Sequence, residues 1–133
     1  ETVRRLVGHQ AHILVIDDDP DVREIVPRYL SQNGYHVTTA VNGRDGLGQI
    51  HADPPNLIIL DLMMPEVDGF VVLEALAQDV QTATIPVIVL TAKDLTAAER
   101  EYLNERVQSW YQKGDNIPEA LIQRIHTLLG MPT

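Results

Sequence analysis

The chain has 133 residues, 44% hydrophobic and 22% charged, with 19 acidic against 10 basic residues and a formal charge of −9. That length fits one domain with a core large enough to need no staple, and the absence of cysteine excludes disulfides, thiolate metal sites and a cysteine nucleophile. The acidic balance repels phosphate backbones and anionic lipid, which argues against a direct nucleic-acid or membrane partner. Apolar runs reach about six residues, against the ~20 that a bilayer-spanning helix needs. No charged segment followed by an apolar one opens the chain, so no signal peptide is read and a cytoplasmic setting is expected. The chain begins at Glu1 rather than Met, which reads as a piece of a longer polypeptide or a processed start.

Residues 1–11 show no period and are expected to be a tail or linker end, followed by a folded domain over 12–130 and a short tail over 131–133. His12 to Ile16 is a short apolar, β-branched run ending in Asp17-Asp18-Asp19; continuous runs of this kind are strands buried on both faces. From Pro20 to Leu30 the apolar residues fall at 22, 25, 26, 29 and 30, a helical stripe. Asp19 is placed to cap it, with Pro20 in its first turn, while Pro27 is expected to strain it. Asn33-Gly34 stops it. Tyr35 to Val41 predicts a second strand, Asn42-Gly43 a turn and Arg44 to His51 a short helix broken by Asp53-Pro54-Pro55-Asn56.

Leu57 to Leu60 predicts a third strand ending at Asp61, followed by a loop from Leu62 to Asp68 and a helix from about Gly69 to Asp79. Pro86 to Leu90 predicts a fourth strand ending at Thr91. A helix from Leu95 to Arg106, a fifth strand from Val107 to Gln112 ending at Lys113, and a closing helix from Asp115 to Leu129 complete the pattern. Five strands alternating with five helices predict an α/β fold, a doubly wound parallel sheet covered on both faces. In such sheets ligands gather at the carboxyl ends of the strands.

Those ends carry Asp17, Asp18, Asp61, Thr91 and Lys113. Three neighbouring carboxylates repel one another, and a hard divalent cation relieves that repulsion. The oxygen-only set suits Mg²⁺ or Mn²⁺ better than zinc. A carboxylate beside such a cation and an ammonium is set up to attack phosphorus and become an aspartyl-phosphate, with the Thr91 hydroxyl available to the phosphoryl group. Lys113 is one of only two lysines, with Lys93. Each aspartate alone reads as a turn former or cap, and Asp19 and Asp21 are assigned wholly to that role. Asp68 before Gly69 reads the same way. The agreement of several strand ends favours the site. The five histidines form no metal pattern, Met63-Met64 reads as loop packing, and the charges of 99–106 read as a solvated helix face.

With these residues the sequence resembles the receiver (response-regulator) domains of two-component signalling. The stretches that carry the resemblance are ILVIDDD at 13–19, LIILDLMMPEVDGF at 57–70, PVIVLTA at 86–92, and Lys113. The resemblance covers about residues 11–130, almost the whole chain. The resemblance implies a flavodoxin-like sheet in the order 2-1-3-4-5. It implies Asp61 as phosphoacceptor, Asp18 as a direct Mg²⁺ ligand, Asp17 as a ligand mainly through water, and the Met63 backbone carbonyl as a further ligand. It also implies Thr91 and Lys113 as phosphoryl contacts, and a donor phosphohistidine on a histidine kinase or phosphotransfer domain. The usual consequence is a two-state shift of the face around the fourth helix.

Two departures stand out. The family's Lys-Pro, with its cis bond, is replaced by Lys113-Gly114, where a trans bond is expected because a non-proline cis bond costs ~3 kcal/mol. The aromatic switch position, usually Tyr or Phe, is Trp110, which leaves the coupling of Thr91 to Trp110 in question. The stretch 95–114 resembles the C-terminal receivers of hybrid sensor histidine kinases, which often carry Lys-Gly; the kinase domains of the same chain would then be partners. The chief alternative is a receiver-fold interaction module with impaired switching. A phosphohydrolase using an aspartate nucleophile would need an acid where Met63 stands, and three aspartates after the first strand would repel a flavin phosphate.

Overall fold

A computed structural model describes residues 11–114 and 119–130. The tails over 1–10 and 131–133, and the expected first residues of the closing helix at 115–118, lie outside the described residues. The elements are β1 (His12–Ile16), α1 (Pro20–Gln32), β2 (His36–Ala40), α2 (Gly43–Ala52), β3 (Leu57–Leu60), α3 (Gly69–Ala77), β4 (Val87–Thr91), α4 (Ala97–Arg106), β5 (Ser109–Gln112) and α5 (Glu119–Leu129). All four strand pairings are parallel, and the sheet order is β2-β1-β3-β4-β5. This is the flavodoxin-like receiver fold that the sequence implied.

The three inner strands β1, β3 and β4 are almost wholly apolar because both faces of the sheet are covered there, whereas the edge strands β2 and β5 carry polar residues. Along β1, Ile13 and Val15 face one layer and Leu14 and Ile16 the other. The first layer is closed by Val26 and Leu30 of α1 and by Leu121, Ile122 and Ile125 of α5. The second is closed by Ile50 of α2, Val72, Leu73 and Leu76 of α3, and Leu103 of α4. Ala11 is buried in the first layer, and its carbonyl accepts from the His36 amide at 3.0 Å. Among the described residues no helix is long and apolar enough to cross a membrane.

Helix ends follow local chemistry. Asp19 caps α1 by accepting from the Asp21 amide at 2.9 Å, so both leave the functional site as expected. The helix runs through Pro27, two turns in, and ends at Asn33, with Gly34 at φ 91° supplying the left-handed turn. Asn42 proves to be the cap of α2 rather than half of a turn, accepting from Asp45 N at 2.8 Å, and Gly43 is the first helical residue. α4 starts at Ala97 rather than Leu95, because Thr96 and Glu99 form a reciprocal capping box. α3 stops at Ala77 and β5 spans only Ser109–Gln112, both shorter than expected.

Candidate functional site

Three site residues lie one position past a strand and are fixed by the sheet's own hydrogen bonds. The amide of Asp17 donates to Ala40 O at 3.2 Å, that of Asp61 to Ile16 O at 3.0 Å, and that of Lys113 to Thr91 O at 2.8 Å. The Asp17 and Asp61 side chains are each 3% exposed, while Asp18 next to them is exposed. Carboxylate oxygens of Asp17, Asp18 and Asp61 all lie within 4.8 Å of one another. Lys113 reaches in from the end of the edge strand β5: its Nζ is 2.8 Å from Asp17 Oδ2 and 3.4 Å from Asp61 Oδ2. The four strand-end groups that carry charge are therefore brought together.

The rest of the predicted set surrounds them. Thr91 ends β4, is buried, and its Oγ1 accepts from the Lys93 amide at 3.1 Å. The Met63 amide donates to Asp61 Oδ1 at 3.2 Å, with its side chain exposed. Trp110 sits on β5 opposite Val89, half-buried against the core layer that holds Leu103 of α4. No cis peptide bond occurs among the described residues, so Lys113-Gly114 is trans as expected. Gly69 opens α3 so close to the site that a Cβ there would lie 2.5 Å from Asp61 O and 2.7 Å from Leu62 Cα.

Electrostatics follow from burial and from two buried carboxylates, Asp17 and Asp61, sharing one ammonium. Burial pushes the Asp17 carboxyl above the ordinary carboxylate range, and the Asp61 charge adds to this, against the opposing hydrogen bond from Lys113. Burial would pull the Lys113 ammonium down, but its hydrogen bonds and charge pairing with Asp17 and Asp61 outweigh burial and raise it. The cluster keeps an excess of negative charge beside one exposed carboxylate. An all-oxygen donor set of this kind fits a hard divalent cation.

Sequence reading missed the supports. Arg23 of α1 donates to the Asp17 carbonyl at 2.9 Å and holds the acidic loop. Lys93 pairs with Glu99 at 3.5 Å, tying the loop after Thr91 to the first turn of α4. The rarity of lysine pointed at Lys93; nothing in the local pattern singled out Arg23 or Glu99.

The response regulator receiver domain family matches residues 13–126. The chain is 38% identical over 125 residues to the DNA-binding dual master transcriptional regulator RpaA of Synechocystis, covering 81% of this chain and 52% of that protein. It spans about half the length of the first curated relatives it matches. Among solved structures it resembles the response regulator protein TrrA of Thermotoga maritima in complex with Mg²⁺ and BeF. That match has a TM-score of 0.77 and 28% identity, and covers 90% of this chain and 99% of that one. It also resembles the signal receiver domain of a signal transduction histidine kinase from Syntrophus aciditrophicus, with a TM-score of 0.80, 28% identity and 90% of each chain covered. Fold, strand-end residues and family match agree: the chain belongs to the response regulator receiver domain family, a class of signalling domains in two-component systems.

Proposed function

We propose that this domain is a Mg²⁺-dependent phosphoacceptor that takes a phosphoryl group onto Asp61 and changes the face around α4. The observation that carries this reading is the Lys113 ammonium held between two buried carboxylates, one of which, Asp61, stands at the end of a central strand. In the transfer an Asp61 carboxylate oxygen forms a bond to phosphorus while the N–P bond of a phosphohistidine breaks, and the imidazole leaves with the bonding pair. Lys113 neutralises charge on the phosphoryl oxygens as it moves off Asp61. Thr91 turns its hydroxyl, which now accepts from Lys93, to donate to the phosphoryl group. Asp18, Asp17, Asp61 and the Met63 carbonyl would hold Mg²⁺, which when bound screens the remaining charge between attacking and transferred oxygens.

The donor we assign is a phosphohistidine on a histidine kinase or a phosphotransfer domain. The likeness to a histidine kinase receiver supports placing this domain within a hybrid kinase, with the kinase domains of the same chain as one partner. The second reading, an interaction module with impaired switching, draws on Trp110, whose indole already packs against the core. One experiment addresses both. Intact mass after incubation with Mg²⁺ and acetyl phosphate should rise by one phosphoryl group in the wild type and not in Asp61→Asn, with a change in Trp110 emission. Mass gain without an emission change would favour the second reading; equal gain in Asp61→Asn would overturn the site.

A further inference from the structure

Helix α4 is poorly anchored by apolar packing. Only Leu103 of its ten residues is buried, so its position depends unusually on polar contacts at its ends. Its first turn is tied to the site through Glu99, Lys93 and the Thr91 hydroxyl. Its last turn is tied to α3 by a closed triangle. The Tyr102 hydroxyl donates to Glu74 Oε2, Arg106 Nε lies 3.6 Å from the same oxygen, and the Arg106 guanidinium sits 3.9 Å over the Tyr102 ring. Phe70 of α3 meets Tyr102 edge-on at 5.7 Å. Beneath Arg106 lies a cleft of about 190 Å³, bounded by Leu73, Leu76, Ile85 and Val87, so the last turn has open space to one side.

We propose that Glu74, Tyr102 and Arg106 form a latch that holds α4 in its resting position against α3, and that this latch sets how much of the domain occupies the switched state. The inference rests on the phosphoacceptor reading for what throws the switch, but the latch itself is a property of the unmodified protein. When Thr91 turns to the phosphoryl group it releases the Lys93 amide. The loop over 92–96 then shifts and carries the first turn of α4 with it. The latch resists at the other end. Coupling between two sites is reciprocal: whatever the latch contributes to the resting state is lost to binding at the phosphoryl site. Opening the latch by substitution therefore tightens that site without touching it.

The triangle shares members, so its contacts should act as a unit. Glu74 and Arg106 are half-exposed, so the latch is modest and the expected effect is about three- to tenfold. The test uses Glu74→Gln, Tyr102→Phe and the double variant in the full chain, with Mg²⁺ and beryllofluoride as the probe. Each single variant should bind the probe about three- to tenfold more tightly than wild type, and the double variant no more tightly than the better single one. Amide exchange across 97–106 in the unliganded protein should quicken by a similar factor, with β1 and β3 unchanged. Equal or weaker probe binding with faster α4 exchange would overturn the coupling. Unchanged exchange would overturn the latch. If wild type and Asp61→Asn alike fail to bind the probe, the phosphoacceptor reading falls instead, and the exchange rates alone decide the latch.

Discussion

Replacing Lys113 by methionine keeps most of the side-chain stem and removes the charge that two buried carboxylates share. The ammonium lies 2.8 Å from Asp17 and 3.4 Å from Asp61, whose side chains are 3% exposed. At these separations each attraction is roughly 5 kcal/mol for an effective dielectric near 20, most of it cancelled by the cost of burying the charges. Removing one partner from such a cluster costs about 3–5 kcal/mol. Asp17 has a way out: burial already pushes its carboxyl up, and without Lys113 it takes a proton more readily. The lower end, about 3 kcal/mol at neutral pH, is therefore expected, which for a domain of this size lowers Tm by roughly 10 °C. A carboxyl whose folded pKa is raised contributes stability that is complete below the ordinary 3.8 and is lost as pH rises through the folded value. The deficit of Lys113→Met should therefore shrink on acidification and grow toward neutral pH. The double variant Lys113→Met, Asp17→Asn should regain about half of the loss, because it removes one of the stranded charges. Thermal melts in chelator across that pH range measure all of this. A Tm within about 2 °C of wild type, or a deficit that does not vary with pH, would refute the reasoning.

Two further outcomes follow from packing elsewhere. Gly69→Ala sets a methyl group 2.5 Å from the Asp61 carbonyl and 2.7 Å from Leu62 Cα, both backbone atoms of the site. It should cost about 2 kcal/mol or more in urea unfolding and slow phosphoryl uptake, whereas Gly48→Ala, with open space around it, should not. Tyr35 and His126 are buried and share a hydrogen bond of 2.5 Å, so Tyr35→Phe should cost about 1–2 kcal/mol at neutral pH. Burial pushes the Tyr35 phenol up to about 12. Its contribution is complete below the ordinary 10 and is lost as pH rises toward about 12, so wild type should lose stability over that interval relative to Tyr35→Phe. Parallel unfolding curves for the two proteins there would refute the assignment.

The sheet and the residues at its rim were legible because both are written locally. LIIL followed by Asp, or VIVL followed by Thr, states a buried strand and what stands at its end. Helix starts were half legible. The Thr96 to Glu99 spacing spells a capping box, yet Leu95 drew the expected start two residues early, and Asn42 read as a turn because caps and turns use the same side chains. Contacts that join distant segments were not legible at all. Tyr35 meets His126 across 91 positions, and Glu74 meets Tyr102 across 28; no periodicity records such pairs. Arg23 falls in the same class, since its partner is a backbone carbonyl that every residue possesses.

The three amide bonds that extend the ladder one rung past β1, β3 and β5 have a consequence for how the domain can vary. Asp17, Asp61 and Lys113 owe their placement to main-chain atoms, which any sequence compatible with the sheet supplies. Apart from Arg23 and Gly69, the helices need only keep an apolar stripe toward the core. Their outer faces, where the exposed Ile25, Tyr29 and Val71 lie, can be rewritten without moving a carboxylate. Chemistry and recognition thus occupy separable parts of the chain, and a change of signalling partner need involve no change in the reacting atoms.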